Sequence, residues 1–257
     1  MGYFYFDESI HQRGGFIVGA FVFSEVDLSL DIASTLNSLG FIPGRDEFKS
    51  SASMQNNPRA QELRNRLKRL LQSTKVGLVV VPSERRDLLG HEALIGLKKI
   101  LTANDLSTKP HRAYFDEGIN FKHNARDRQE LLPSCDIHTN QDFRIVAGLQ
   151  LADLAAHCFS IMLLEAMGIV KKKVKAGHNS GYDPNLDIEI GFEIWATLRY
   201  CFFKGPGPTL DELEMDPVES LMFDTGSYAL HISPHCDASL KLAAEARFSK
   251  CYLGCIH

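Results

Sequence analysis

Three aspartates stand where apolar stretches end or pass. The run Tyr3-Phe4-Tyr5-Phe6 leads into Asp7-Glu8-Ser9, Asp116 follows Ala113-Tyr114-Phe115, and Asp153 lies inside the apolar stretch 148–158. A carboxylate held against an apolar core is costly unless it is paired, hydrogen-bonded or bound to a cation. Acids far apart in sequence, each fixed to a core element, are what a divalent-metal site needs, because hard cations take oxygen ligands. Glu8 and Glu117 adjoin two of the three. Neighbours along a strand point to opposite faces, so one of each pair is expected to enter the site, and Glu117 reads as a solvent-facing acid.

Around Asp153 the spacing is informative. Gln150, Asp153, His157 and Ser160 recur at intervals of three, four and three, with apolar residues between them. On a helix this is one narrow polar stripe in an otherwise buried surface. The bland reading is a network satisfied among buried neighbours. The preferred reading is a seam that presents Asp153 to a metal or substrate.

The elements that must position these residues alternate strand and helix over the first half. The sequence predicts a short strand over 3–6, buried on both faces, then a polar loop ending in Gly14-Gly15. A second strand over 16–23, interrupted by Gly19, returns antiparallel. Helices are predicted over 28–39, capped by Asp27 or Ser29, and over 58–71, a basic amphipathic segment opened by Pro58 with Leu63, Leu67, Leu70 and Leu71 inward. A β-branched strand over 76–81, a helix over 86–101, a strand over 111–115 and a short strand over 136–139 follow. The strongest helix spans 148–167. Beyond it, 171–173 and 177–181 read as loop, 188–203 as helix, 228–232 as strand and 237–252 as helix. The expected organisation is a first domain over 1–170 and a mainly helical C-terminal extension over 171–257 packed on it.

Composition narrows the partners. The chain has 257 residues and a net charge of −4, so nucleic-acid binding would need a local basic patch. The N-terminus lacks a basic region followed by an apolar core, so no secretory signal is expected, and no apolar run reaches membrane-spanning length. The six cysteines form no small-scaffold framework, which points to free thiols in a cytoplasmic protein. Arg59, Arg64, Arg66, Lys68 and Arg69 form a basic helix face that either follows a phosphate backbone or is simply solvated. His231, His235, Cys236, Cys251, Cys255 and His257 invite a zinc reading, but no C-x₂-C element accompanies them. Phosphate-loop and G-x-S-x-G signatures are absent from the sequence.

Taken in order, Asp7-Glu8-Ser9 after the first strand, Glu47 with Lys49, Asp116 after a middle strand and Gln150-Leu151-Ala152-Asp153 opening a helix resemble a bacterial family, domain of unknown function 3800 (DUF3800), of the ribonuclease H-like superfamily. The resemblance covers residues 3–165; where the family carries Gly after Asp-Glu-Ser, this chain has Ile10. It implies an α/β fold with a ribonuclease H-like mixed sheet, flanking helices and, here, a C-terminal helical extension. It also implies a two-metal site for Mg²⁺ or Mn²⁺ held by Asp7, Asp116 and Asp153. Glu8 would be an adjacent acid, Lys49 would contact a phosphate or the attacking water, and Gln150 would orient a ligand. The function expected is a metal-dependent nuclease or phosphodiester hydrolase acting on DNA or RNA, with a place in bacterial anti-phage defence or mobile-element loci, a protein partner there and no membrane. A non-catalytic ribonuclease H-like module that binds nucleic acid or protein, and hydrolysis of a small nucleotide, are the alternatives.

Overall fold

The computed structural model describes residues 1–54, 56–177, 182–207 and 221–254. Its strands are β1 (Gly2–His11), β2 (Phe16–Ser24), β3 (Lys75–Pro82), β4 (His111–Asp116), β5 (Cys135–Gln141), β6 (Lys173–Lys175), β7 (Asp187–Glu189), β8 (Met222–Asp224), β9 (Leu230–Ile232) and β10 (Lys250–Tyr252). Six of them form one sheet in the order β5-β4-β1-β2-β3-β9. The first three run as an antiparallel meander, whereas β4 joins β1, β5 joins β4 and β9 joins β3 in parallel. The fold is therefore the expected α/β class, with a mixed sheet and flanking helices.

The main helices are α1 (Ser29–Ser38), α2 (Pro58–Leu71), α3 (Leu89–Ala103), α4 (Ala125–Leu131), α5 (Leu149–Ala166), α6 (Ile190–Leu198) and α7 (Ala238–Phe248). Two of them cover opposite faces of the sheet. Tyr5 of β1 lies against Gly148 at the start of α5, whereas Gly77 and Val79 of β3 meet Ile100 and Gly96 of α3. The pairing register carries Gly77 and Val79 across to Phe6 and Glu8 of β1, so those two face α3, while Tyr5 and Asp7 face α5. Helix α5 has the length and hydropathy of a membrane-crossing segment, unlike what the sequence reading allowed, but 72% of it is buried inside this fold. Its apolar character is accounted for by packing on β1 and β2.

Several expected boundaries are corrected. Strand β1 does not stop at Phe6 but continues to His11, because β2 is buried along its whole length and pairs with every residue from Tyr3 to His11. Backbone hydrogen bonds thus carry the strand through its polar half. Gly19 does not interrupt β2: the Phe6 ring lies over it, and a Cβ there would come within 2.4 Å of that ring. A 3₁₀ segment, Ser83–Leu88, replaces the first turn expected of α3. The helix expected over 188–203 ends at Leu198 and passes into a 3₁₀ turn. The strand expected over 228–232 spans only Leu230–Ile232, after one helical turn. The last helix ends at Phe248, where the Ser249 carbonyl is taken by the N–H groups of Thr225 and Gly226 and the chain pairs with β8. Lys173, expected in a loop, opens the strand Lys173–Lys175, which pairs with Asp187–Glu189. Residues 178–181 lie outside the described residues. The C-terminal part carries strands as well as helices, and through β9 it joins the edge of the central sheet.

Candidate active site at the end of a parallel ladder

The parallel ladder between β1 and β4 sets the first two acids side by side. Its register ends at Phe6 opposite Phe115. On one face the rings of Phe6 and Phe115 pack together, and on the other Tyr5 and Tyr114 stack with centroids 5.8 Å apart. One residue further on, Asp7 and Asp116 leave the strands on the tyrosine side, beneath α5. The β4–β5 pairing shifts register between Tyr114 and Asp116, so Asp116 stands opposite Gln141, next to Asn140 in the left-handed region at φ 54°. Such an irregularity re-aims a side chain at the end of a ladder.

Helix α5 brings the third acid, and the loop after α1 meets it. The Ser50 N–H donates to Asp153 Oδ2 at 2.7 Å and the Ser50 hydroxyl to Oδ1 at 2.5 Å. One turn earlier, Gln150 Oε1 accepts the Phe48 N–H at 2.9 Å, and its Nε2 donates to the Phe143 carbonyl. The polar stripe expected on this helix therefore holds a loop of the chain, and Arg64 of α2 locks that loop from behind by donating to the Ser50 carbonyl at 2.9 Å. Asp7, Lys49, Asp116, Gln150 and Asp153 line one cavity of about 120 Å³, walled by Phe48 and Phe143.

Of the six residues singled out in the sequence, Glu8 alone does not line this cavity. It points to the α3 face, where Arg86 donates to its Oε1 at 3.0 Å. Glu117 is exposed, as expected of a solvent-facing acid. Lys49 is half-exposed, pairs with Glu47 at 3.2 Å and lies over the Phe143 ring. Further along the stripe, burial lowers the His157 imidazole to about 4, helped by Arg64, His11 and Lys68. Ser160 is fully buried on the same helix.

Burial and mutual repulsion act together on the carboxylates. Asp7 is held well above the usual range by burial, then by Asp116, Asp153 and Glu8. Asp116 is pushed up to about 6, chiefly by burial, with Glu8, Glu117 and Asp153 adding to it. Asp153 is raised by burial against the opposing hydrogen bonds from Ser50. Glu8 is raised by burial against the pull of Arg86. A set of acids that is costly to ionise together becomes favourable once a cation sits among them.

Its donor chemistry fits a divalent cation. Asp116 Oδ1, in the cavity, is buried with no hydrogen-bond partner among the described residues. Mg²⁺ is commonly held by one or two carboxylates plus substrate phosphate, so Asp7 and Asp116 suffice as a starting pair. Among the described residues, no three His, Cys, Asp or Glu side chains form a ready-made metal shell.

The other constellations are absorbed elsewhere. Arg66 and Arg69 pair with Glu62, and Lys68 with Glu193. Of the residues in the zinc reading, His231 Nε2 bonds Glu92, while the thiols of Cys236 and Cys251 donate to the carbonyls of Val80 and Arg199. Cys255 and His257 lie outside the described residues. The five described cysteines are free. Sequence reasoning missed Ser50, Arg64 and Arg86 as partners of the acids. Ser50 follows the Glu47/Lys49 element directly, which is a signal, whereas nothing local marks the two arginines.

No family model matches the chain, and no curated protein matches it. The resemblance to DUF3800 therefore rests on the sequence motifs alone. Among solved structures, a chain of the PCNA:RNase HII complex from Archaeoglobus fulgidus is similar over 72% of this chain and 84% of that chain, with 16% identity and a TM-score of 0.40.

Proposed function

We propose that this protein is a Mg²⁺- or Mn²⁺-dependent phosphodiester hydrolase that acts on nucleic acid. The observation that carries the reading is the cavity in which Asp7, Asp116 and Asp153 meet Lys49, just beyond the last pair of the β1–β4 ladder. In this reading Asp7 and Asp116 hold the cation, and Asp153 completes its shell. When bound, the cation supplies an activated water and neutralises the leaving oxygen. Lys49 places its ammonium against a non-bridging phosphate oxygen. Gln150, bonded to Phe48 and Phe143, fixes the loops on either side of Lys49. Ser50 keeps Asp153 from reorganising, which is how a preorganised site stabilises developing charge. A role in bacterial anti-phage defence, with a protein partner from the same locus, is the part of the proposal carried by resemblance alone.

One observation favours the alternative, a non-catalytic binding module: both oxygens of Asp153 already accept hydrogen bonds from Ser50. The two readings separate on incubation of labelled DNA and RNA with the protein and Mg²⁺ or Mn²⁺. The enzyme reading expects cleavage that disappears in EDTA and in Asp153→Asn. Cleavage by the variant at the wild-type rate would remove Asp153 from the chemistry, and no cleavage of either polymer by the wild type would favour the module.

A further inference from the structure

Next to the acid cavity lies a second depression, of about 580 Å³, lined by Phe41, Arg45, Asp46, Glu47, Arg59 and Arg144. The two share a rim. Glu47 on one side is ion-paired to Lys49 on the other, and Phe143 and Arg144 are consecutive residues facing one cavity each. We infer that this depression binds a second phosphate of the substrate backbone, so that the substrate is a single-stranded polynucleotide rather than a free nucleotide. This inference rests on the proposed phosphodiester chemistry of the acid cavity.

The acids of the patch are already committed. Asp46 accepts from the Arg45 guanidinium and from the Ile42 N–H, Glu47 pairs with Lys49, and Asp142 is held by Arg144. Arg45 and Arg144 are thereby oriented while keeping further N–H donors open. Arg59 differs: its guanidinium stacks on the Phe41 ring, 4.4 Å from the centroid, and among the described residues it makes no hydrogen bond or ion pair. A cation laid flat on an aromatic ring with its donor edge free suits a phosphate.

Apolar side chains in the open follow two of the lining residues directly in sequence, Ile42 after Phe41 and Ile145 after Arg144. Ile42 is 47% exposed and Ile145 80%. Cationic donors interleaved with apolar and aromatic surface are what a single strand requires, since its phosphates follow the charge while its unstacked bases meet the apolar groups. A duplex keeps its bases stacked and offers no faces to Ile42 and Ile145. A mononucleotide seated in the acid cavity would bring no phosphate to Arg59, whose nearby carboxylate, Asp46, is already bonded to Arg45.

The test is fluorescence anisotropy of the full chain with labelled twelve-nucleotide single strands of DNA and of RNA, a matched duplex and a labelled mononucleotide, all in EDTA. Without a cation in the acid cavity, failure of the proposed hydrolysis leaves this measurement unaffected, and the reverse also holds. A single strand of at least one sugar type should bind more tightly than the duplex or the mononucleotide. Arg59→Ala with Arg144→Ala should weaken that binding about tenfold and reduce the log–log salt slope by about 0.7 for each phosphate that is no longer neutralised. Should the double variant fail to fold, Arg59→Ala alone decides, because that side chain is exposed and makes no hydrogen bond or ion pair among the described residues. Wild-type affinity in the variants, equal binding of strand and mononucleotide, or no binding of either strand would overturn the inference.

Discussion

Ser50 closes on Asp153 with both of its donors, the N–H on Oδ2 at 2.7 Å and the hydroxyl on Oδ1 at 2.5 Å. A hydrogen bond to a charged group contributes about 1.5–3 kcal/mol. Ser50→Ala removes one of the two. It should lower the free energy of unfolding in urea by about that amount at pH 7.5, and raise the Asp153 pKa further, because the Ser50 hydrogen bonds are what oppose burial there. An unchanged unfolding midpoint would mean that this hydrogen bond contributes nothing in solution.

Asp116 provides a pH signature. Its carboxyl lies at about 6 in the folded chain against an ordinary value of 3.8. The folded state therefore binds the proton more tightly than the unfolded state. The resulting stability is full below pH 3.8 and is lost as pH rises through about 6. Asp116→Asn removes the ionisation. In EDTA, the melting temperature of the variant relative to wild type should be more favourable at pH 7.5 than at pH 4.5. A difference that stays flat across this range would show that Asp116 is not under the strain of burial and neighbouring charge.

Gly148 lets α5 reach the sheet. A Cβ at this position would come within 2.3–2.5 Å of three Tyr5 ring atoms, and Tyr5 is buried between Gly148 and the stacked ring of Tyr114. Overpacking of this kind costs about 1–3 kcal/mol. Gly148→Ala should lower the melting temperature and, by tilting α5 away from β1, weaken cation binding as well. A variant as stable as wild type would show that the start of the helix has room to move.

Much of this site was legible before the fold was known, for a physical reason. Apolar runs mark buried elements, so Asp7, Asp116 and Asp153 could be tied to the core one by one, and the period of two along a strand separated Asp7 from Glu8. Pairing across distance was not legible. That Phe6 sits opposite Phe115, and so Asp7 beside Asp116, follows from parallel pairing between segments about a hundred residues apart, which no local pattern records. The polar half of β1 looked like a loop because its residues are not apolar; its strand character comes from backbone pairing with the buried β2. Short strands such as Lys173–Lys175 and Lys250–Tyr252 owe their form to their partners and leave no periodicity to read.

Whether these carboxylates gather to hold a divalent cation is decided by calorimetric titration of the metal-free protein with Mn²⁺ at pH 7.5. Saturable binding is expected, with a heat that depends on the buffer, because acids with raised pKa values release protons when the cation arrives. Asp7→Asn and Asp116→Asn should each weaken that binding, because each removes a charged oxygen ligand. Asp153→Asn should weaken it too, while Glu117→Gln, at the exposed acid, leaves it as it was. The same isotherm in wild type and in all three aspartate variants would contradict a cation held by these acids and place any bound metal elsewhere on the chain.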